Sequence, residues 1–385
     1  MASARVAVRP PVLEWARHRG GKDTAAMRKK FHEWDLWMTQ EAQPTLRQAQ
    51  DLAAYTHVPF GMLLLDSPPV VELPIPDFRV TGEGKEQPSQ DLLDTIYLSQ
   101  QRQGWFEDYL GRFGAEPLGF VGSAKGAAVD EAAAMISDAL EYGLATRATL
   151  RTTDDARKHL IRAFEQLGGL VVASSMVGNN THRMLDRDEF RGFTLQSATA
   201  PLVFVNAHDT KPGQVFSLLH EFGHVWHGDT GVSVGGDPLT GAGAAIERWC
   251  DEVAAEIAVP KKDLVRRFES HRPLTVELER LADFYRCSTL VILIRLRSVG
   301  LFSNDGFDAA YEAELGRLLA LIGDRSTSSG GDFYNNQPFR IGERLSRALI
   351  SDTRRGATPL TEALRLMALG STAVFDAYAS RLEAR

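Results

Sequence analysis

Two histidines four residues apart, with a glutamate following the first, make Val215-Phe216-Ser217-Leu218-Leu219-His220-Glu221-Phe222-Gly223-His224-Val225-Trp226-His227-Gly228 the most chemically specific stretch of the sequence. Residues four apart share a face of an α-helix, so His220 and His224 can offer imidazole nitrogens to one ion. His-Glu-x-x-His on a helix is a zinc motif. A catalytic zinc takes three protein ligands and keeps one position open for water. That water becomes acidic enough to yield a nucleophile near neutral pH, and Glu221, beside the ligand face, can serve as its general base. The chemistry on offer is hydrolysis.

The motif fixes only three positions, so its flanks matter. Val215, Phe216, Leu218, Leu219, Phe222, Val225 and Trp226 form an apolar frame at roughly helical spacing. The three ionisable groups therefore fall on a mostly buried helix, where they are costly without a partner. A metal ion is the natural partner.

The third ligand has to come from elsewhere. A histidine six residues after His224 would follow the metzincin pattern, but Thr230 stands there. His227 lies one turn beyond His224, and three ligands from one helix converge poorly on a tetrahedral ion; a helix-end residue is the simpler reading. Glu247 is better placed, 23 residues beyond His224 on the next helix, the gluzincin arrangement. Asp251, one turn later, can accept a hydrogen bond from the second nitrogen of a ligand histidine and fix its tautomer. Glu252 and Glu256 are rivals that helical geometry turns away from the face of Glu247 and Asp251. Cys250 reads as a small buried filler.

The elements that must hold these residues follow from pattern. A strand is expected at Leu170–Ser174, a second at Arg191–Leu195 and a third at Pro201–Asn206. A small sheet therefore precedes the metal helix, and one of its edges could hold an extended peptide backbone. A Gly-rich loop from His227 to Pro238 borders the next helix, which runs from Ala244 to Pro260. Upstream, helices are expected at 90–113, 130–142 and 153–167; downstream at 275–285, 289–299, 338–352, 359–369 and 372–382, with a glycine break at 328–331. Residues 1–66 read as helices at 12–17, 25–37, 46–54 and 59–65, an arrangement like that of helix-turn-helix DNA readers. The predicted fold is α+β and predominantly helical. It comprises a helix-turn-helix-like domain over 1–68, a Pro-rich linker over 69–88, a zincin-like domain over 89–270 and a helical C-terminal domain over 271–385.

Composition narrows the partners. The chain carries a formal charge of −7, which gives no general argument for nucleic acid or a membrane surface. Over residues 1–66 the balance is +2, but the expected last helix there, Phe60-Gly61-Met62-Leu63-Leu64-Leu65, has no side chain that reads a base edge. DNA binding is thus weakly supported. Two cysteines cannot make a disulfide framework, no secretory signal opens the chain, and no apolar run nears the ~20 residues that span a bilayer. A cytoplasmic location is expected.

With these residues in hand, the chain resembles the ImmA/IrrE family of metallopeptidases. Glu189-Phe190-Arg191-Gly192-Phe193, Ala200-Pro201-Leu202-Val203-Phe204-Val205-Asn206, the Phe216–His224 stretch and the helix from Ile246 to Pro260 carry the likeness. The segment Val58–Pro69 is similar to the degenerate helix-turn-helix often fused ahead of such peptidases. The resemblance implies a cytoplasmic zinc endopeptidase that cleaves a regulatory protein, usually a DNA-binding repressor, under stress or mobile-element signals. It implies zinc on His220, His224 and Glu247, with Glu221 as general base. Asp251 stands where many relatives carry asparagine. His182, Arg183 and Tyr334 are candidates for stabilising the oxyanion. The competing expectation is a transcription regulator or antitoxin that uses the same fold as a sensor; the intact Glu221 argues against it.

Overall fold

The structure, a computed structural model, describes residues 4–76, 88–233, 242–323 and 332–384. These fall into two compact units, 4–74 with 88–97, and 75–76 with 98–384. Parts of the expected linker (77–87) and Gly-rich loop (234–238), and the glycine break at 328–331, lie outside the described residues. The architecture is mostly helical with one small mixed sheet, an α+β fold.

In the first unit α1 (Pro10–Arg19), α2 (Thr24–Lys30), α3 (Trp34–Met38) and α4 (Leu46–Thr56) precede a 3-10 turn at Phe60–Leu64. Thr45 opens α4 with a capping box, its hydroxyl accepting from the Gln48 amide while the Gln48 side chain accepts from the Thr45 amide. The single helix expected at 25–37 is two helices. Phe31 leaves α2 in an extended conformation and buries its ring against Trp37 and Tyr55. Burying that aromatic outweighs one continued turn of helix. Val12, Leu13, Trp34, Trp37, Leu52 and Leu63 make the core here.

The helix α5 (Gln90–Gly111) carries the chain into the second unit, where α6 (Val129–Ala139), α7 (Leu144–Thr149) and α8 (Thr153–Leu167) follow. Strands β1 (Leu170–Ser174), β2 (Gly192–Leu195) and β3 (Leu202–Asn206) lead into α9 (Lys211–His227). A fourth strand, β4 (Gly231–Ser233), forms inside the stretch expected to be loop. The order is β1-β3-β2-β4, with β1 parallel to β3 and both other pairs antiparallel. On the far side of β4 the Val232 amide donates to the Pro76 carbonyl at 3.0 Å. The first three strands are buried along their whole length, as a sheet covered on both faces must be.

After α9 come α10 (Ala242–Ala258), α11 (Lys261–Arg267), α12 (Leu274–Tyr285), α13 (Thr289–Ser298) and α14 (Phe307–Gly323). Then come α15 (Phe333–Ile341), α16 (Glu343–Arg354), α17 (Leu360–Met367) and α18 (Thr372–Glu383). The helix expected at 338–352 is broken at Gly342, whose φ is 94° and where a Cβ would lie 2.9 Å from the Val171 carbonyl of β1. Only glycine fits that approach. On α16, buried Asp352 accepts from the Thr358 hydroxyl at 2.6 Å and from Arg112 at 2.8 Å, while Trp105 Nε1 donates to the Thr358 oxygen at 3.1 Å. No described helix is long and apolar enough to cross a membrane.

Candidate metal centre

The sequence places α9 in the core and caps it at both ends. Thr210 accepts from the Gly213 amide, Pro212 sits in the first turn, and Gly228 closes the helix with φ 95°. Phe222 stacks on Phe164 of α8 at 4.5 Å between ring centroids, and Trp226 lies 4.6 Å from Phe120. Gly223 faces α10 so closely that a Cβ would sit 3.3 Å from Cys250 Sγ and 3.4 Å from its Cα. This close crossing sets Glu247, one turn before Cys250, against the two histidines. Cys250 is the small buried filler expected from its position.

His220, His224 and Glu247, all buried, bring their donor atoms together: His220 Nε2 lies 3.1 Å from His224 Nε2 and 3.2 Å from Glu247 Oε2, and His224 Nε2 lies 3.0 Å from Glu247 Oε1. Asp251 accepts from His220 Nδ1–H at 2.7 Å. With the proton on Nδ1, the neutral ring keeps a lone pair on Nε2, and that lone pair faces Glu247 Oε2. Two acceptors held this close need a cation between them, a proton or a metal ion. Glu247 Oε1 is buried and accepts no aligned hydrogen bond despite its closeness to His224. One donor atom from each of the three lies within 4.8 Å of the others, and the two imidazoles and one carboxylate are a ligand set that zinc accepts.

The electrostatics agree. Burial pushes the Glu247 carboxyl upward, but the two imidazoles more than reverse this and hold it at about 2. Burial also opposes charge on His220, yet Asp251 and Glu247 outweigh it and drive the imidazole well above its ordinary value. Both directions mark a place built to hold positive charge. Glu221 goes the other way: full burial raises its carboxyl, partly offset by His224, His220 and the hydroxyl of Thr194.

The rivals lie elsewhere. His227 Nδ1 pairs with Asp229 and its ring meets Trp249 edge-on at 4.9 Å. Glu256 pairs with Arg295 and accepts from the Lys261 amide, and Glu252 is exposed. Tyr334 packs against Phe333 and Arg381, and the exposed His182 sits in a turn with its amide donating to Asn180. Arg183 belongs to that turn through its backbone.

Two residues of β2 border Glu221, a role that the sequence does not signal. Thr194 on β2 donates its hydroxyl to Glu221 Oε2 at 2.8 Å, and Gly192 lies so near that a Cβ there would be 2.7 Å from Glu221 Oε1. Strand alternation puts 192 and 194 on one face, but no local signal says which helix that face meets. Gln196, just past β2, donates its amide to the His224 carbonyl at 2.8 Å and ties the end of α9 to the strand.

A family model described as IrrE N-terminal-like domain, Peptidase_M78, matches residues 164–297, from the end of α8 into α13. A second, described as a domain of unknown function, DUF8813, matches residues 341–381. No curated protein and no solved structure matches the chain. The first match contains the whole His-His-Glu group; it supports the ImmA/IrrE family and a metallopeptidase-type activity.

Proposed function

We propose that the chain is a zinc-dependent endopeptidase acting on a regulatory protein, a repressor-like or antitoxin-type partner, in the cytoplasm. The observation that carries the reading is the convergence of His220, His224 and Glu247 inside the Peptidase_M78 match, with Glu221 beside them on α9. His220 Nε2, His224 Nε2 and Glu247 would hold zinc, and Asp251 would keep the His220 tautomer. When bound, zinc supplies polarisation of the peptide carbonyl and acidification of water. Glu221 takes the water's proton and returns it to the departing amine. The helices of residues 1–68 serve as a helix-turn-helix-like unit that engages the protein target, ahead of a zincin-like catalytic domain over 89–270.

Metal content by mass spectrometry, read beside Glu247→Ala prepared identically, is the test. One zinc per wild-type chain, lost in the variant, is expected. Zinc retained by the variant would remove Glu247 from the ligand set, and no metal in either after zinc is supplied would overturn the reading.

A further inference from the structure

We infer that Thr194 is a positioning residue for Glu221, dividing the work between the two carboxylate oxygens; this rests on the hydrolase reading above. Thr194 is fully buried in the middle of β2. Its hydroxyl lies 2.8 Å from Glu221 Oε2 and 3.2 Å from the Glu221 backbone carbonyl. A hydroxyl has one proton to give, and the nearer, charged oxygen takes it. The other oxygen, Oε1, lies in the space that Gly192 leaves open, where a Cβ would come within 2.7 Å of it and 2.8 Å of the Phe204 carbonyl.

The strand therefore grips the carboxylate from two sides. Thr194 binds Oε2, and the absent side chain at 192 lets Oε1 sit against the backbone. Because Oε2 is engaged, Oε1 is the oxygen that takes the proton from water. The grip is rigid: Thr194 is opposite Val203 of β3 and Gly231 of β4, so its backbone is laddered on both sides. A glutamate has three side-chain torsions, and holding the terminal group costs entropy that a preset hydrogen bond removes before reaction.

Thr194→Val removes the hydroxyl at nearly constant shape, and Thr194→Ser restores it. With labelled casein as an unstructured probe, Thr194→Val should lower kcat by about ten- to hundredfold, the scale of a misplaced reacting group. KM should stay within about twofold, since a group acting only in the transition state leaves ground-state binding alone. Thr194→Ser should recover most of the rate, and all three proteins should bind one zinc. Wild-type kcat in Thr194→Val, or equal loss in both variants, would overturn the proposal. A second measurement is independent of turnover: a urea double-mutant cycle of Thr194→Val with Glu221→Leu. Non-additive midpoint shifts support the contact, and additive ones overturn it. If wild-type protein leaves casein intact, the hydrolase reading loses its support and the cycle still decides the grip on Glu221.

Discussion

Asp352 and Glu247 are both carboxylates buried in the second unit, yet their surroundings differ in kind. Around Asp352, donors meet acceptors: Thr358 and Arg112 each direct a proton to it, and Trp105 supplies the Thr358 oxygen in turn. Around Glu247, two imidazoles and a carboxylate crowd their nitrogen and oxygen atoms to 3.0–3.2 Å, with Asp251 taking the other ring nitrogen of His220. The first centre is complete in itself and holds helices together. The second gathers three side chains of the kind that can hold a cation. Burial alone does not separate these two centres; the chemistry of the partners does.

Breaking the second centre at its chemistry gives the largest effect. Glu221→Gln should cut peptide hydrolysis by about 10²- to 10⁴-fold, the range of a lost general base, while zinc stays bound; steady-state assay with metal analysis checks both. Unaltered cleavage in that variant would remove Glu221 from the reaction. Next, Asp251→Ala frees the His220 tautomer and should weaken zinc about 10- to 100-fold, read by competition with a chromogenic chelator.

The last test addresses the complete centre. Asp352→Ala leaves Thr358 and Arg112 without their acceptor and should cost about 1–3 kcal/mol in urea unfolding, with zinc content unchanged. Burial alone would raise the Asp352 carboxyl, but Thr358 and Arg112 hold it below its ordinary value of 3.8. A carboxyl depressed on folding contributes stability that is present above its unfolded pKa and lost as pH falls through the lower folded value. Wild-type stability should thus show an acid-side loss below about pH 3.8 that Asp352→Ala shows less of. Parallel curves would contradict this assignment.

The His220, His224 and Glu247 grouping is legible in sequence because each step uses helical periodicity: four residues set one face, and the next amphipathic helix offers its carboxylates in register. The strands β1 and β3 are legible for a similar reason, since short apolar runs such as Leu170-Val171-Val172-Ala173 suit a buried strand. What escapes is whatever depends on contact between distant segments. The strand Gly231-Val232-Ser233 has one apolar residue between two small ones, and pairing with β2 alone defines it. Phe31 and Gly342 break expected helices through the aromatic rings and the strand carbonyl they meet. Thr194 reads as an ordinary strand threonine until α9 lies beneath it.

The bond between Val232 and Pro76 bears on how this sheet ends. Strand edges recruit other chains by offering alternating N–H and C=O groups. Pro76 satisfies the outward amide of Val232 with its carbonyl, and as a proline it returns no N–H for a further strand to grasp. That edge of β4 is thus met at Val232 by a residue that accepts a hydrogen bond and offers none onward.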